Sequence, residues 1–379
     1  MPGPRHVMLT TDAVGGVWHY TLLLAGELGR RGIDTTAAVM GPSPTPGQRA
    51  DARHAGVTLV DRPYRLEWMD DPWSDVDAAG DWLLSLEREC RPDVIHLGGY
   101  THAALPWRAP VLVVAHSCVR SWWRAVRGEA APPAVDRYTQ KVRAGLAAAD
   151  AVIAPSAAMA ATLVVEYGVG ADAPTIPNGV GVPPAHGGSA GASLTSSHVA
   201  IREAPHARKE PLLLSAGRVW DEAKNIRAVC SVAARLPWPV YVAGDPHVPE
   251  GLTGAACPID HVTTLGVVPP ADLARWYARA AIYVLPARYE PFGLSILEAA
   301  RAGCALVLGD IPSLRENWTD AAVFVPPDDH DALAAAITRL IETPAERTRL
   351  GWRAGVRARR FTARRMADAY VAAYGGLLS

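Results

Sequence analysis

Glu290 and Glu298 stand eight residues apart in Arg288-Tyr289-Glu290-Pro291-Phe292-Gly293-Leu294-Ser295-Ile296-Leu297-Glu298. Ahead of them, Ile282-Tyr283-Val284-Leu285 is a short β-branched and aromatic run stopped by Pro286, which reads as a buried strand. From Phe292 good helix formers continue to Gly303, a C-cap. Glu290 therefore falls in a strand-to-helix turn. The first helical N–H groups, expected near Phe292, Gly293 and Leu294, lack intrahelical partners and would suit a diphosphate. Glu298, about two turns into that helix, is placed to accept hydrogen bonds from ribose hydroxyls. The competing reading is a surface glutamate in a turn plus a solvated glutamate on an amphipathic helix.

A second cluster supplies cations. Leu212-Leu213-Leu214-Ser215-Ala216 reads as a strand delivering Gly217 and Arg218 to its carboxyl end, with Lys224-Asn225 six residues on. Two cations there could stabilise charge developing on a leaving phosphate. Only three of the 37 basic residues are lysine (Lys141, Lys209, Lys224), so a retained lysine points to a need for a compact charge. In the first half, Gly15-Gly16 follow the first strand and open a helix, which allows close backbone approach to a ligand. Trp18 and His19 come next and are candidates for the acceptor side. His116 ends the run Val111–Ala115. The stretch 119–128 mixes Trp122 and Trp123 with Arg120, Arg124 and Arg127. It reads as a membrane-surface patch, an aromatic sugar platform, or a partly buried helix with snorkelling arginines.

The elements that must position these residues alternate. His6–Thr11, Thr35–Met40, Thr58–Val60, Val94–Leu97, Val111–Ala115 and Ala151–Ala154 read as strands, with helices at Trp18–Arg31, Asp75–Arg91 and Ala134–Ala149. A second block has candidate strands at Leu212–Ala216, Val240–Ala243, Ile282–Leu285, Ala305–Leu308 and Ala322–Val325. Such alternation implies α/β architecture with parallel sheets. Ala149-Asp150-Ala151-Val152-Ile153-Ala154-Pro155 echoes Ala280-Ala281-Ile282-Tyr283-Val284-Leu285-Pro286, as though both were strands in a related position. The expectation is two Rossmann-like domains facing a central cleft. The first spans 1–182 plus a closing helix at about 362–379, and the second spans 211–361, with a linker or mobile loop at 183–210.

Bulk properties remove several classes. A net charge of −1 gives no global pull toward nucleic acid. Five scattered cysteines (Cys90, Cys118, Cys230, Cys257, Cys304) form no CxxC pair, which argues against a zinc site or disulfide framework. Neither a signal-peptide core nor an eighteen-residue apolar run is present, so a cytoplasmic protein is expected. Asp75-Val76-Asp77 is formally a DxD metal motif, but aspartates at a helix start favour the dipole. No obligatory metal or other cofactor is expected.

The set Gly217-Arg218…Lys224-Asn225, Glu290-Pro291-Phe292-Gly293-Leu294 and Glu298 resembles the donor-site motifs of the retaining GT-B glycosyltransferases of family four. The resemblance extends to the Gly15-Gly16 loop, Pro155-Ser156, Ile176-Pro177-Asn178-Gly179-Val180 and the closing helix. It implies that Arg218 and Lys224 clamp a nucleotide-sugar diphosphate and that Glu298 holds its ribose. It implies too that Glu290 and His116 contact the donor sugar, while N–H groups at Phe292, Gly293 and Leu294 receive phosphate or sugar oxygens. Ser117, Ala287 and Gly181 depart from the family pattern, leaving the detailed contacts open. The implied reaction is transfer from UDP-glucose first, or GDP-mannose second, to a hydroxyl acceptor. Alternatives are a GT-B nucleotide-sugar epimerase and a catalytically silent binding module.

Overall fold

The computed structural model describes residues 3–169, 173–181, 209–246 and 261–379. The expected linker at 183–210 and Cys257 lie almost wholly outside them. The chain divides into two units. One comprises the described residues up to Gly179 together with Ala363–Ser379, and the other those from Val180 to Thr362.

The first unit carries strands β1 (His6–Asp12), β2 (Asp34–Met40), β3 (Thr58–Asp61), β4 (Val94–Leu97), β5 (Val111–Val114) and β6 (Ala151–Ile153). The second carries β7 (Glu210–Ala216), β8 (Val240–Ala243), β9 (Thr263–Gly266), β10 (Ala280–Leu285), β11 (Ala305–Gly309) and β12 (Ala322–Val325). Every pairing is parallel. The orders are β3-β2-β1-β4-β5-β6 and β12-β11-β10-β7-β8-β9. Read from each unit's own first strand, both sheets have the doubly wound order 3-2-1-4-5-6. That order reverses between β1 and β4 in one sheet and between β7 and β10 in the other. Such reversal points are where these sheets bind ligands, outside the strands' carboxyl ends.

Burial on both faces explains the apolar strand runs. On β1, Val7 and Leu9 enter one core layer while Met8 enters the opposite one. On β10, Ile282 and Val284 face one layer, and Tyr283 and Leu285 face the other. The closing helix Ala363–Leu377 buries Met366, Ala367, Tyr370 and Tyr374 in the layer that holds Trp18 and Leu24 of the Gly16–Gly29 helix.

Two expectations are corrected. Strand β9 was not foreseen, because an edge strand reading Thr-Thr-Leu-Gly, with half-exposed or exposed residues, carries no apolar run. The sequence echo does not join equivalent strands. Ala151–Ile153 is the edge strand β6, whereas Ala280–Leu285 is β10, at the point of reversal. A parallel strand ending at proline reports burial, not position in the sheet.

Candidate functional site

In the second unit, the loops after β7 and β10 are tied together by their backbones. The N–H groups of Arg288 and Tyr289 both donate to the Ala223 carbonyl, at 2.9 and 3.3 Å. Asn225 takes a left-handed conformation, φ 54°, and its Nδ2 donates to the Pro286 and Pro327 carbonyls at 2.9 and 2.7 Å. On that frame Lys224 Nζ donates to Glu290 Oε2 at 2.6 Å, with only 17% and 12% of the two side chains exposed. Arg218 pairs with Asp221 at 2.6 Å and lies 5.4 Å over the Trp220 ring. Asp221 is buried and also accepts from Ala223 N–H at 3.0 Å. Burial pushes its carboxyl up, but Arg218 and Lys224 outweigh that and hold it below the usual range.

Each expected cation therefore holds a carboxylate. Motif spacing named Arg218, Lys224 and Glu290 but missed Asp221 and Ser313. Asp221 was detectable as an Asx turn closing on Ala223, three residues after Arg218. Ser313 Oγ, on the Pro312–Trp318 helix, donates to the Glu290 carbonyl at 2.6 Å, a contact no local pattern announces. Two glycines set the spacing of these loops. A Cβ on Gly244 would sit 1.8 Å from the Gly217 carbonyl oxygen, and one on Gly309 would sit 2.2 Å from that of Ala287.

The helix after Glu290 begins later than expected, at Leu294, and ends at Arg301. Gly293 precedes it at φ 93°, a left-handed conformation that stops the helix from extending back to Phe292. Phe292 N–H reaches Glu290 Oε1 at 3.4 Å. The helix's first N–H groups belong instead to Leu294 and the residues after it. Glu298 consequently sits little more than one turn in, half-buried. The Tyr277 phenol lies close by, and its pKa is raised by burial and then by the Glu298 charge.

In the first unit, Gly15 has φ 78° and Gly16 opens the helix, both exposed, with nothing within 4 Å of a Cβ built on Gly15. Asp12 Oδ1 accepts from Val14 N–H at 2.7 Å and shapes this turn. Trp18 does not join the open surface. It is 4% exposed and packs in the core, because its helical position turns it onto the sheet. His19 is half-buried. His116 follows β5 and stacks edge-on against Tyr20, with ring centroids 4.5 Å apart. Its buried Nε2 has no partner among the described residues. Burial lowers its pKa to about 4, so the imidazole is neutral at pH 7.

Trp122 and Trp123 lie on the Val119–Arg127 helix, half-buried and edge-on to each other at 6.0 Å. Two of that helix's arginines work within the unit, since Arg120 and Arg124 pair with buried Glu166 at 3.1 and 2.6 Å. Asp75 accepts from Arg65 N–H at 2.8 Å and Asp77 pairs with Lys141 at 3.5 Å, so the DxD residues have structural partners. No group of three or more His, Cys, Asp or Glu among the described residues could hold a metal ion. No described helix is long and apolar enough to cross a membrane.

Two family models match the chain: Glycosyltransferase Family 4 over residues 14–182 and Glycosyl transferases group 1 over residues 210–343. The chain is 36% identical over 132 residues to the O-antigen chain mannosyltransferase B of Escherichia coli, covering 32% of this chain and 35% of that protein. The match to a D-inositol 3-phosphate glycosyltransferase of Streptosporangium roseum likewise spans only 32% of that protein. A D-inositol 3-phosphate glycosyltransferase of Kineococcus radiotolerans is 27% identical over 93% of this chain and 88% of its own length. Among solved structures, the sucrose-phosphate synthase of Thermosynechococcus elongatus superposes with a TM-score of 0.77 at 19% identity, covering 99% of both chains. Anabaena HepE, solved with UDP and glucose, gives 0.73 at 14% identity, over 98% of this chain and 100% of that one.

Proposed function

We propose that the chain is a GT-B glycosyltransferase, in keeping with its two family matches, and that it transfers a sugar from a nucleotide diphosphate donor to a hydroxyl acceptor with retention of anomeric configuration. The observation that carries this reading is the Lys224–Glu290 pair at 2.6 Å beside Arg218, at the carboxyl ends of β7 and β10 where the strand order reverses. Lys224 has three N–H donors, so it can hold a phosphate oxygen while it still orients Glu290. Arg218, 40% exposed at its side chain, and the N–H groups opening the Leu294–Arg301 helix supply further positive charge for a diphosphate. Gly217 lets the β7 end approach it closely. Glu298 would accept from ribose hydroxyls, and Glu290 would orient the sugar ring.

The first unit's own candidates for ligand contact are the open Gly15-Gly16 loop, His19 and neutral His116. The bond from the anomeric carbon to the phosphate oxygen breaks as the acceptor oxygen bonds on the same face. The acceptor's proton passes to the departing phosphate oxygen, so no protein base is required, while Arg218, Lys224 and the helix N–H groups supply the positive charge that a metal ion would otherwise provide. UDP-glucose is the first donor to test, in keeping with the HepE structure holding UDP and glucose, and GDP-mannose is the second, in keeping with the mannosyltransferase relative.

A thermal-shift panel of UDP, GDP, ADP and dTDP tests the site, since a ligand held only by the folded state raises the midpoint. One diphosphate should raise it and the Lys224→Met variant should lose that rise. The sugar nucleotide so chosen should then yield an α-linked product from an α-linked donor. No rise with any diphosphate, or a β-linked product, would overturn the proposal.

A further inference from the structure

We propose that the outer face of the Pro344–Ala358 helix is a docking surface for an anionic phospholipid membrane. Residues 344–360 contain six arginines and one acidic residue, Glu346, in a chain whose net charge is −1. Glu346 is occupied by Arg339 at 3.4 Å. The helix's inner face buries Leu350 and presses small residues onto backbone. A Cβ on Gly351 would lie 2.4 Å from the Gly303 carbonyl oxygen, and one on Gly355 would lie 3.4 Å from that of Ala300. Ala354 and Ala358 are buried on the same side.

Backbone this close fixes the helix's rotation and turns Trp352 outward, 64% exposed, with Val356 one turn on and 41% exposed. Arg349 and Arg353 flank the indole and are exposed, and Arg359 and Arg360 continue the basic surface. Arg353 and Arg357 also donate to the Asp320 and Thr319 carbonyls, so part of the basic rim is anchored. An exposed indole and valine on a helix that also exposes Arg349 and Arg353 match a lipid headgroup boundary. Apolar atoms insert there while arginine stems snorkel to phosphates. The exposed apolar pair favours a bilayer over a soluble polyanion, which would need only the charges.

This surface takes no part in the transfer chemistry, so it is tested apart from it, by vesicle flotation of the full chain. Wild type should float with phosphatidylglycerol–phosphatidylcholine vesicles and stay behind with phosphatidylcholine alone, and added salt should release it. Arg349→Ser with Arg353→Ser should weaken binding by at least about ten-fold, at about five-fold per arginine near a charged surface. Trp352→Ser with Val356→Ser should weaken it by about ten-fold while leaving the melting temperature and nucleotide binding unchanged. Failure of wild type to float, or flotation of both double variants as complete as that of wild type, would overturn the proposal. So would oligonucleotide binding as tight as vesicle binding and unaffected by Trp352→Ser with Val356→Ser, since that would assign the face to nucleic acid.

Discussion

The Lys224–Glu290 pair joins two residues with separate tasks in one hydrogen bond. Removing the Glu290 charge while keeping its shape leaves Lys224 free to meet phosphate. Glu290→Gln is therefore expected to lower kcat by about a hundred-fold or more, while nucleotide diphosphate affinity changes by less than about three-fold. Steady-state kinetics alongside calorimetric titration of the diphosphate checks this, and wild-type turnover would remove Glu290 from the mechanism. His116 and His96 behave differently. Burial lowers His116 to about 4 and His96, where the charge of His116 adds to burial, to about 3. An unfolded histidine titrates near about 6.5, so below that pH the unfolded chain binds more protons than the folded one. Stability from keeping both rings neutral is complete above about pH 6.5 and is lost progressively as pH falls toward 4 and 3. Melting temperatures measured from pH 8 to pH 4 should fall across that window, with a shallower fall for His116→Phe.

At the scale of elements, backbone contacts position the loops as much as side chains do. Gly244, at the end of β8, touches the Gly217 carbonyl and so sets where Arg218 emerges. Gly244→Ala places a methyl group where none fits. It should cost about 1–3 kcal/mol of stability by overpacking and also reduce kcat/KM, as Arg218 shifts with Gly217. Urea denaturation and kinetics on the same variant test the two effects, and full activity in a destabilised variant would break the link. No sequence pattern pointed to Gly244, because a glycine after a strand is common and its contact lies 27 residues away. The opposite holds for β10 and the helix after Glu290. Their apolar runs, Pro286 and the Phe-Gly-Leu core were legible, and the error was confined to the helix start, where Gly293 turns left-handed.

At the scale of the whole molecule, each unit has its own pair of core layers and the same strand order. A diphosphate held by second-unit residues should stabilise the folded chain by about 2.7 kcal/mol at a hundred times its dissociation constant. Arg218→Ala with Lys224→Met should abolish that gain and should also lower the unliganded midpoint, because buried Asp221 and half-buried Glu290 lose the cations that pair with them. A shift that survives in this variant would place the nucleotide elsewhere. The sequence by itself determined the class of fold and the charged motif. Continuous apolar runs, strand-ending prolines and the Arg218, Lys224, Glu290 and Glu298 set are local, and local order suffices to read them. It left undecided which charges meet, and on this only the tertiary structure speaks. Lys224 and Glu290 are 66 residues apart, and their 2.6 Å contact exists because parallel pairing puts β7 beside β10. Trp18 went wrong for the same reason. Helical rotation against a sheet assigns a side chain to core or surface, and adjacency to a glycine loop does not.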